Sequence, residues 1–308
     1  MHLISLWSLS NHFKNKVFPS IKKNKKIKIV SAFTKQKNFS ENINITKSKS
    51  KFLKEKVDYV YISSVNSKHY KNTLEILKNK KNVICEKPIC LKEKELRVLK
   101  KISEKNKKLF FEIDQYVYHP LFLKLKNIID KKLLGKILCV DCSFEVPLND
   151  KNNFRFKKKL GGGALYDVGY YPVSILYKLF NSKKIKILKK KIVKKKNLDI
   201  AGSSKVINEK KTIFNLSWSL CSPYKNFIKI YGTKACLETN FIFSKQIEQA
   251  CEIKIIKKNK IKKIKIKKAN QINLAFGQIL KSKTKIFEYK YMQSLNILKT
   301  LNKISKNE

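Results

Sequence analysis

Short apolar runs alternate with longer stretches of helical spacing in the first part of the chain. The runs predict strands, and the stretches between them predict helices, the first of which breaks at Pro19. The predicted strands are 3–7, 27–33, 57–63, 82–85 and 108–113, and the predicted helices are 11–22, 68–78 and 91–107. Five strands separated by helices build a doubly wound parallel sheet that binds ligands at its carboxyl edge. We therefore predict an α/β domain over 1–114.

The pattern changes beyond this region. Isoleucine and lysine alternate through much of 184–268, which is typical of antiparallel strands with one solvated face. The other predicted elements are helices at 121–132, 171–180, 269–281 and 289–303, and a strand from Gly135 to 146. The second domain, 115–308, is thus predicted to be α+β with an open, mostly antiparallel sheet.

The formal net charge is +49, and all but two of the 71 basic residues are lysines. The two arginines are Arg97 and Arg155. Proteins that read nucleic acid depend heavily on arginine for bidentate contacts. We therefore interpret the charge as a solvated surface without specific nucleic-acid recognition, and non-specific nucleic-acid binding is the alternative. No apolar run approaches the ~20 residues that cross a membrane.

The seven cysteines are scattered, and the histidines show no metal-ligand grouping. Cys139 and Cys142 form a C-x-x-C motif inside a predicted strand, where a separation of three directs the two thiols to opposite faces. We therefore predict no metal site and a reduced, cytoplasmic protein.

Four of the eight glycines fall within 161–169. Glycines grouped in this way indicate a backbone that other residues do not adopt, for close approach of a ligand or for a tight helix entry. Asp167 and Tyr171 are four residues apart and share one face of a helix that opens at Asp167. The residues alone leave two interpretations: a polar site made of a carboxylate and a phenol, or an N-cap with a tyrosine in the core.

Lys87 is a second candidate, because Glu86-Lys87-Pro88 follows directly after a predicted buried strand. At the carboxyl end of that strand, its ammonium group points into the crevice where such sheets bind ligands. A surface lysine before a turn is the alternative.

Taken in order, these segments resemble the glucose-fructose oxidoreductase / inositol dehydrogenase / MocA family of NAD(P)-dependent oxidoreductases. The resemblance runs from about Leu3 to the end of the chain, and it implies a Rossmann domain followed by a domain with a large open sheet. It also implies hydride transfer between a nicotinamide and a hydroxyl or carbonyl of a sugar, polyol or sugar nucleotide. The segments that carry it are 61–69, 118–120, 230–238, Val83-Ile-Cys-Glu-Lys-Pro88 and Gly161-Gly-Gly-Ala-Leu-Tyr-Asp-Val-Gly-Tyr-Tyr171.

The resemblance implies a role for each site residue. Lys87 touches the reacting oxygen, Asp167 positions the substrate, and Tyr171 exchanges the proton. Tyr171 stands where many members carry histidine and where dihydrodiol dehydrogenases carry tyrosine. The implied cofactor-binding residues are Ser8, Ser10, Asn11, Thr34, Lys35, Ser63, Asn66, His69 and Glu86. For His69 a structural role at the start of the helix is the alternative.

The first turn departs from the family pattern. Ser8, Ser10 and Phe13 occupy the three positions of Gly-x-Gly-x-x-Gly. A Cβ is costly where φ is positive or where the pyrophosphate lies close, and Phe13 crowds the helix against the sheet. Thr34 and Lys35 offer a hydroxyl and a cation in place of an acidic residue, which favours NADP over NAD, although Lys35 is also explained as one surface lysine among many.

We therefore expect an NAD(P)-dependent oxidoreductase that acts on a small carbohydrate-like molecule. The alternative is a catalytically degenerate relative with weakened nucleotide binding that acts as a binding or regulatory protein. Self-association through the open sheet of the second domain is the expected protein contact, and a monomer kept apart by the lysines of that sheet is the alternative.

Overall fold

The computed structural model describes residues 1–35, 39, 43–150, 152–258 and 260–306. By its internal contacts the chain divides into two units. The first comprises Met1–Asp114 with Ile272–Leu295, and the second Gln115–Gln271 with Asn296–Glu308. The predicted second domain, 115–308, therefore contains a segment that packs with the first unit.

The first unit contains a six-stranded parallel sheet. Its strands are β1 (His2–Trp7), β2 (Ile27–Phe33), β3 (Asn44–Thr46), β4 (Tyr59–Ile62), β5 (Asn82–Glu86) and β6 (Phe110–Ile113). Their order is β3-β2-β1-β4-β5-β6, so the strand order reverses between β1 and β4. The predicted parallel sheet is confirmed, but it has six strands, because β3 is too short to produce a hydrophobic pattern.

The helices of the first unit include α1 (Phe18–Ile21), α2 (Lys49–Lys54), α3 (Asn66–Lys78) and α4 (Glu93–Asn106). A π-helical turn, Phe13–Val17, leads directly into α1, and the backbone is helical from 11 to 21. The predicted break at Pro19 is therefore wrong. Pro19 lies in the first turn of α1, directly after the π turn. Because the hydrogen-bond spacing changes from π to α at this junction, the helix continues without the N–H that proline lacks.

The second unit contains an eight-stranded sheet. Its strands are β7 (Ile137–Glu145), β8 (Ile185–Lys195), β9 (Leu198–Asn208), β10 (Ile213–Ser219), β11 (Lys225–Gly232), β12 (Cys236–Asn240), β13 (Cys251–Lys257) and β14 (Lys260–Ile266). The order is β14-β13-β12-β11-β7-β10-β9-β8, and only the β7–β10 pair is parallel among these described strands. The mostly antiparallel sheet is confirmed. Its solvated face is seen in β8, where Ile185 and Ile187 pack on the core while Lys186 is exposed.

The remaining helices are α5 (Pro120–Asp130), α6 (Tyr170–Lys178), α7 (Gln271–Ile279) and α8 (Thr284–Ser305). A second π-helical turn, Leu165–Gly169, precedes α6 and contains Asp167. The interpretation of Asp167 as an N-cap is therefore wrong, because the helical backbone begins before it. The helical backbone begins at Ala164, directly after the three glycines, so the hydrophobic spacing of α6 alone does not reveal its first turn.

The cysteines of the C-x-x-C motif lie as expected, with Cys142 buried and Cys139 partly exposed. Within the described ranges, no three or more His, Cys, Asp or Glu side chains are grouped so that they hold a metal ion. No helix in those ranges is long and apolar enough to cross a membrane.

Candidate functional site

The turn after β1 lies where the strand order of the first sheet reverses. Ser8 has a φ of 83°, in the left-handed region that glycine adopts without strain. Its N–H donates to the Phe33 carbonyl oxygen at 3.0 Å, and its carbonyl accepts from the Ser63 hydroxyl at 3.1 Å. The structure thus brings together Ser8 and Ser63, and the backbone keeps a glycine-type turn despite the Cβ of serine.

Ser10 caps the helix that follows this turn. Its Oγ accepts from the Phe13 N–H at 3.1 Å, and its carbonyl accepts from the Lys14 N–H at 3.0 Å. Asn11 is exposed at the first helical position. The Phe13 ring is fully buried with its centroid 5.8 Å from that of Tyr61. The helix is π-helical where this large ring packs on the sheet.

Lys87 lies directly after β5, in a loop that is held at two points. The Lys87–Pro88 peptide bond is cis. The Pro88 carbonyl oxygen lies 2.8 Å from Nδ1 of His69, and the Ile89 N–H donates to Oε1 of Glu112 at 2.9 Å. His69 and Glu112 therefore fix the backbone that carries Lys87.

The other bonds of these two residues are also local. Nε2 of His69 lies 2.7 Å from the Ser64 carbonyl oxygen, and burial lowers the pKa of His69. Oε2 of Glu112 accepts from the Ser294 hydroxyl at 2.5 Å. Both ring nitrogens of His69 thus lie within hydrogen-bond distance of loop carbonyl oxygens, and the neutral ring donates to one of them. A contact between His69 and the cofactor stays a prediction.

Glu86 forms a small polar group at the end of β5. Its Oε1 accepts from the Tyr61 hydroxyl at 2.6 Å and lies 3.4 Å from Nε2 of His12. Burial raises the pKa of Glu86, but His12, Tyr61 and Lys87 outweigh it and lower the pKa overall. Glu86 is therefore an ionised acceptor next to Lys87. Tyr61 is fully buried, and burial raises its pKa well above the ordinary value.

The other predicted cofactor residues lie at strand ends of the same sheet. Thr34 and Lys35 follow β2, where the Thr34 N–H donates to the Thr46 carbonyl oxygen at 3.2 Å and Lys35 is exposed. Asn66 is buried at the first position of α3.

In the second unit, Asp167 forms an ion pair that the sequence analysis did not include. Its Oδ2 accepts a hydrogen bond from Nε of Arg155, and the Asp167 side chain is 5% exposed. The Arg155 guanidinium lies 4.8 Å from the centroid of the Phe154 ring. Asp167 raises the pKa of Arg155. The available sequence signal was compositional, since Arg155 is one of only two arginines.

The glycine cluster explains why Arg155 reaches Asp167. A Cβ on Gly162 would lie 2.4 Å from the Arg155 carbonyl oxygen, so glycine is needed for this close approach of two backbone segments. Gly163 has a φ of 117°, and its N–H donates to the same carbonyl at 2.9 Å. Oδ2 of Asp199 accepts from the Leu165 N–H at 2.6 Å. Gly162 and Gly163 therefore allow the close backbone packing beside the Arg155–Asp167 pair.

Tyr171 lies in a cluster of aromatic rings at the start of α6. Its ring centroid lies 4.9 Å from Phe144, 5.3 Å from Phe243 and 6.0 Å from Tyr116. The ring is partly buried against the core. Tyr171 follows the π turn of Asp167 by two residues and, after Asp167, is a smaller cause of the raised pKa of Arg155. Tyr171, Arg155 and Asp167 thus belong to one part of the second unit.

His119 and Lys245 add two unusual groups to the second unit. Nδ1 of His119 accepts from the Leu121 N–H at 3.1 Å, so the neutral ring carries its proton on Nε2, which is buried without a hydrogen-bond partner among the described residues. Burial, and then Lys245, lower the pKa of His119 to about 4. Lys245 donates to Oε1 of Gln271 at 2.9 Å, and burial lowers its pKa to about 8. Neither residue carries a sequence pattern that points to chemistry.

The three predicted catalytic residues belong to different units. Lys87 lies in the first, and Asp167 and Tyr171 lie in the second. That all three meet around one substrate stays a prediction.

Solved structures of similar fold include a 3-ketoreductase from Actinomadura kijaniata in complex with NADP and TDP-benzene. It has a TM-score of 0.91 at 16% identity and covers 98% of this chain and 96% of that one. An aldose-aldose oxidoreductase from Caulobacter crescentus, complexed with glycerol, has a TM-score of 0.84 at 14% identity, with 99% and 97% covered. At these identities the likeness shows the fold.

Curated relatives match shorter stretches. Trans-1,2-dihydrobenzene-1,2-diol dehydrogenase of Xenopus laevis is 28% identical over 154 residues, which are 49% of this chain and 46% of the relative. The dTDP-3,4-didehydro-2,6-dideoxy-alpha-D-glucose 3-reductase of Actinomadura kijaniata is 27% identical over 117 residues, 38% of this chain and 35% of the relative. The matched stretches thus span about half or less of the length of these relatives.

Two family models match consecutive parts of the chain. Residues 11–113 match the oxidoreductase family with NAD-binding Rossmann fold. Residues 122–238 match the GFO/IDH/MocA C-terminal domain. Because the two matches together cover well over half of the chain and follow its two sheets, the chain belongs to the GFO/IDH/MocA oxidoreductase family.

Proposed function

We propose that this chain is an NAD(P)-dependent oxidoreductase that transfers a hydride between a nicotinamide and a hydroxyl or carbonyl of a small carbohydrate-like substrate. The observation that carries the proposal is the placement of Lys87 at the carboxyl end of β5, in a loop bound by His69 and Glu112. The names of the relatives, which include a diol dehydrogenase and a sugar-nucleotide reductase, support the same class of reaction.

The residues of the first turn fit a dinucleotide. Ser8 keeps the positive φ of the glycine it replaces, and the helix N-terminus at Asn11 offers N–H groups of the kind that bind phosphate. The Phe13 ring is fully buried in the core of the first unit, so it does not occupy the surface of the turn. Ser8, Ser10 and Asn11 would hold the pyrophosphate.

Other residues at the same edge of the sheet complete the proposed cofactor site. Thr34 and Lys35 lie where the ribose binds in doubly wound sheets, and a cation there favours a 2′-phosphate. We therefore propose NADP as the preferred cofactor. Ser63, Asn66 and Glu86 would line the remainder.

The proposed mechanism assigns one task to each catalytic side chain. A bound nicotinamide supplies or accepts the hydride. The Lys87 ammonium donates a hydrogen bond to the reacting oxygen and stabilises negative charge on it as the hydroxyl loses its proton. The Tyr171 phenol exchanges that proton, and the Asp167 carboxylate accepts a hydrogen bond from a substrate hydroxyl and orients it.

Cofactor binding is testable without knowing the substrate. Trp7 is buried one residue before Ser8, whereas the second tryptophan, Trp218, lies in the other unit. In the variant W218F, quenching of Trp7 fluorescence therefore reports binding at the first turn. We expect NADP to quench this fluorescence saturably. The preference for NADP over NAD should be smaller in K35A and unchanged in K25A, which removes a surface lysine as a control. If neither NADP nor NAD quenches Trp7 at millimolar concentration, the proposal fails.

Catalysis is tested by following reduced nicotinamide with sugars, polyols and dihydrodiols as substrates. We expect K87A and Y171F each to lower kcat by about 10²-fold or more while leaving cofactor affinity largely intact. Y289F, at an exposed tyrosine, is the matched control for the loss of a hydroxyl. Unchanged turnover in K87A or Y171F would remove that residue from the mechanism.

A second candidate function is dinucleotide binding without catalysis, which the strained serine turn favours. The variant S8G restores the family residue at the first position. A large gain in affinity without turnover in either protein supports the second candidate. Turnover by the unaltered chain excludes it.

A further inference from the structure

Asp167 is a buried carboxylate whose partner has no task in the mechanism above. Its side chain is 5% exposed, and Arg155 is its ion-pair partner among the described residues. An isolated carboxylate at such a position is expensive to ionise and takes up a proton instead. Arg155 therefore stabilises the ionised form of Asp167.

The arginine at this position is also chemically specific. Lysine supplies nearly every cation of this chain, yet arginine stands here. Its planar guanidinium binds Asp167 through Nε while the same plane lies over the Phe154 ring and Nη1 lies 3.5 Å from Oδ1 of Asn153. A lysine ammonium supplies the charge but neither the plane nor the fork.

The backbone around the pair leaves Arg155 little freedom. Its carbonyl accepts from the Gly163 N–H, and its own N–H donates to Oδ1 of Asn153 at 3.2 Å. Asp199 binds the first residue of the π turn that carries Asp167. Both ends of the ion pair are thus fixed by hydrogen bonds that do not involve the pair itself.

We propose that Arg155 is a positioning residue that keeps Asp167 ionised and fixes the direction of its carboxylate. Asp167 then acts only as an acceptor for a substrate hydroxyl next to the reacting carbon, and proton exchange is left to Tyr171. This inference rests on the proposed function for the substrate, whereas the state of Asp167 is testable without it. Besides Arg155, the titratable groups on and beside the π turn are Tyr166, Tyr170, Tyr171 and Asp199.

The first experiment measures the carboxyl group directly. The full chain is labelled with ¹³C-aspartate, and the Asp167 signal is assigned by its loss in D167N. We expect the titration midpoint of Asp167 to move upward by about one pH unit or more in R155M and by less in R155K, which keeps the charge. The control R97M, at the exposed second arginine, should leave the signal unchanged. Equal midpoints in R155M and the unaltered chain would overturn the proposal.

The second experiment uses the pH dependence of kcat/KM. Since a protonated Asp167 is a weaker acceptor for the substrate hydroxyl than the carboxylate, R155M should lose activity toward acidic pH and regain part of it toward alkaline pH. R155K should keep the unaltered profile but with a higher KM, because the fork is lost. Identical losses at all pH values in both variants would indicate a merely structural role and overturn the proposal.

The two experiments separate this inference from the proposed function. If the unaltered chain turns over no substrate while the Asp167 signal shifts in R155M, the proposed function fails and the control of Asp167 by Arg155 stands. If R155M does not fold by circular dichroism, the double variant R155M/D167N decides by its folding alone, since it no longer carries the Asp167 signal: recovery of the fold supports the proposal, and failure to fold overturns it. The double variant should fold, because removing both charges leaves no unpaired buried ion.

Discussion

The serine at the first turn offers the sharpest test of the structure. Ser8 has a φ of 83°, and a Cβ in the left-handed region costs about 1–2 kcal/mol. Both backbone hydrogen bonds of Ser8, to Phe33 and from Ser63, remain when the side chain is removed. Replacing Ser8 by glycine therefore removes strain without removing a described hydrogen bond.

The expected gain in stability is smaller than the strain energy that is removed. Glycine makes the unfolded chain more flexible, which lowers the free energy of unfolding by roughly 0.5–1 kcal/mol. We expect S8G to stabilise the first unit by about 0.5–1 kcal/mol. Urea unfolding followed by Trp7 fluorescence in the W218F background measures this change at the correct place. The matched control is S8A, which keeps the Cβ and should stay within a few tenths of a kcal/mol of the serine protein. If S8G is no more stable than S8A, the turn does not carry the strain that its φ implies.

Three further predictions concern other parts of the molecule. His119 should make the free energy of unfolding fall by at most about 3 kcal/mol as the pH drops from 6.5 toward 4, because the imidazole takes up a proton in the unfolded chain but stays neutral in the fold. In H119N, whose side chain can still cap α5, the urea midpoints at pH 7 and pH 5 should lack this difference. E112A should lower the free energy of unfolding by about 2 kcal/mol and reduce kcat, because the hydrogen bonds to Ile89 and Ser294 are lost, whereas E112Q should lose less. Equal kcat in E112A, E112Q and the unaltered chain would contradict the role of Glu112 in holding the Lys87 loop. G163A should destabilise the fold by about 2 kcal/mol or more, because Gly163 has a φ of 117° and the added Cβ would lie 2.2 Å from Asp199. Thermal melts measure this change, and the control G277A, with open space around the new methyl, should not be destabilised.

Much of the first unit was accessible from local pattern. The strand predicted at 27–33 coincides with β2, and the predicted starts and ends of β5 and α3 lie within two residues of the structure. Hydrophobic periodicity reports which side of an element is buried, so it performs well where each element is long enough to show a period. It fails for β3, with three residues, and for the second π turn, Leu165–Gly169, which lies before the predicted helix 171–180.

The residues of the candidate site likewise include some that the local sequence predicts and some that it does not. Lys87 was accessible because it directly follows a buried strand, and Asp167 because glycines surround it. Arg155, Glu112 and His119 were not, since each acquires its role from a partner or a burial that no short segment encodes. Glu112, for example, bonds to Ser294, more than 180 residues away along the chain.

Sequence alone determined the class of each sheet, the family, and the places where strand ends carry polar side chains. Those properties follow from local alternation, from glycine and proline, and from motifs in a fixed order. Only the tertiary structure decided that the glycine cluster packs against Arg155, that Asp167 is paired, and that the Lys87 loop is held by His69 and Glu112. The physical reason is that a hydrogen bond or an ion pair depends on distances between side chains to within a few tenths of an ångström, and these are set by the path of the whole backbone.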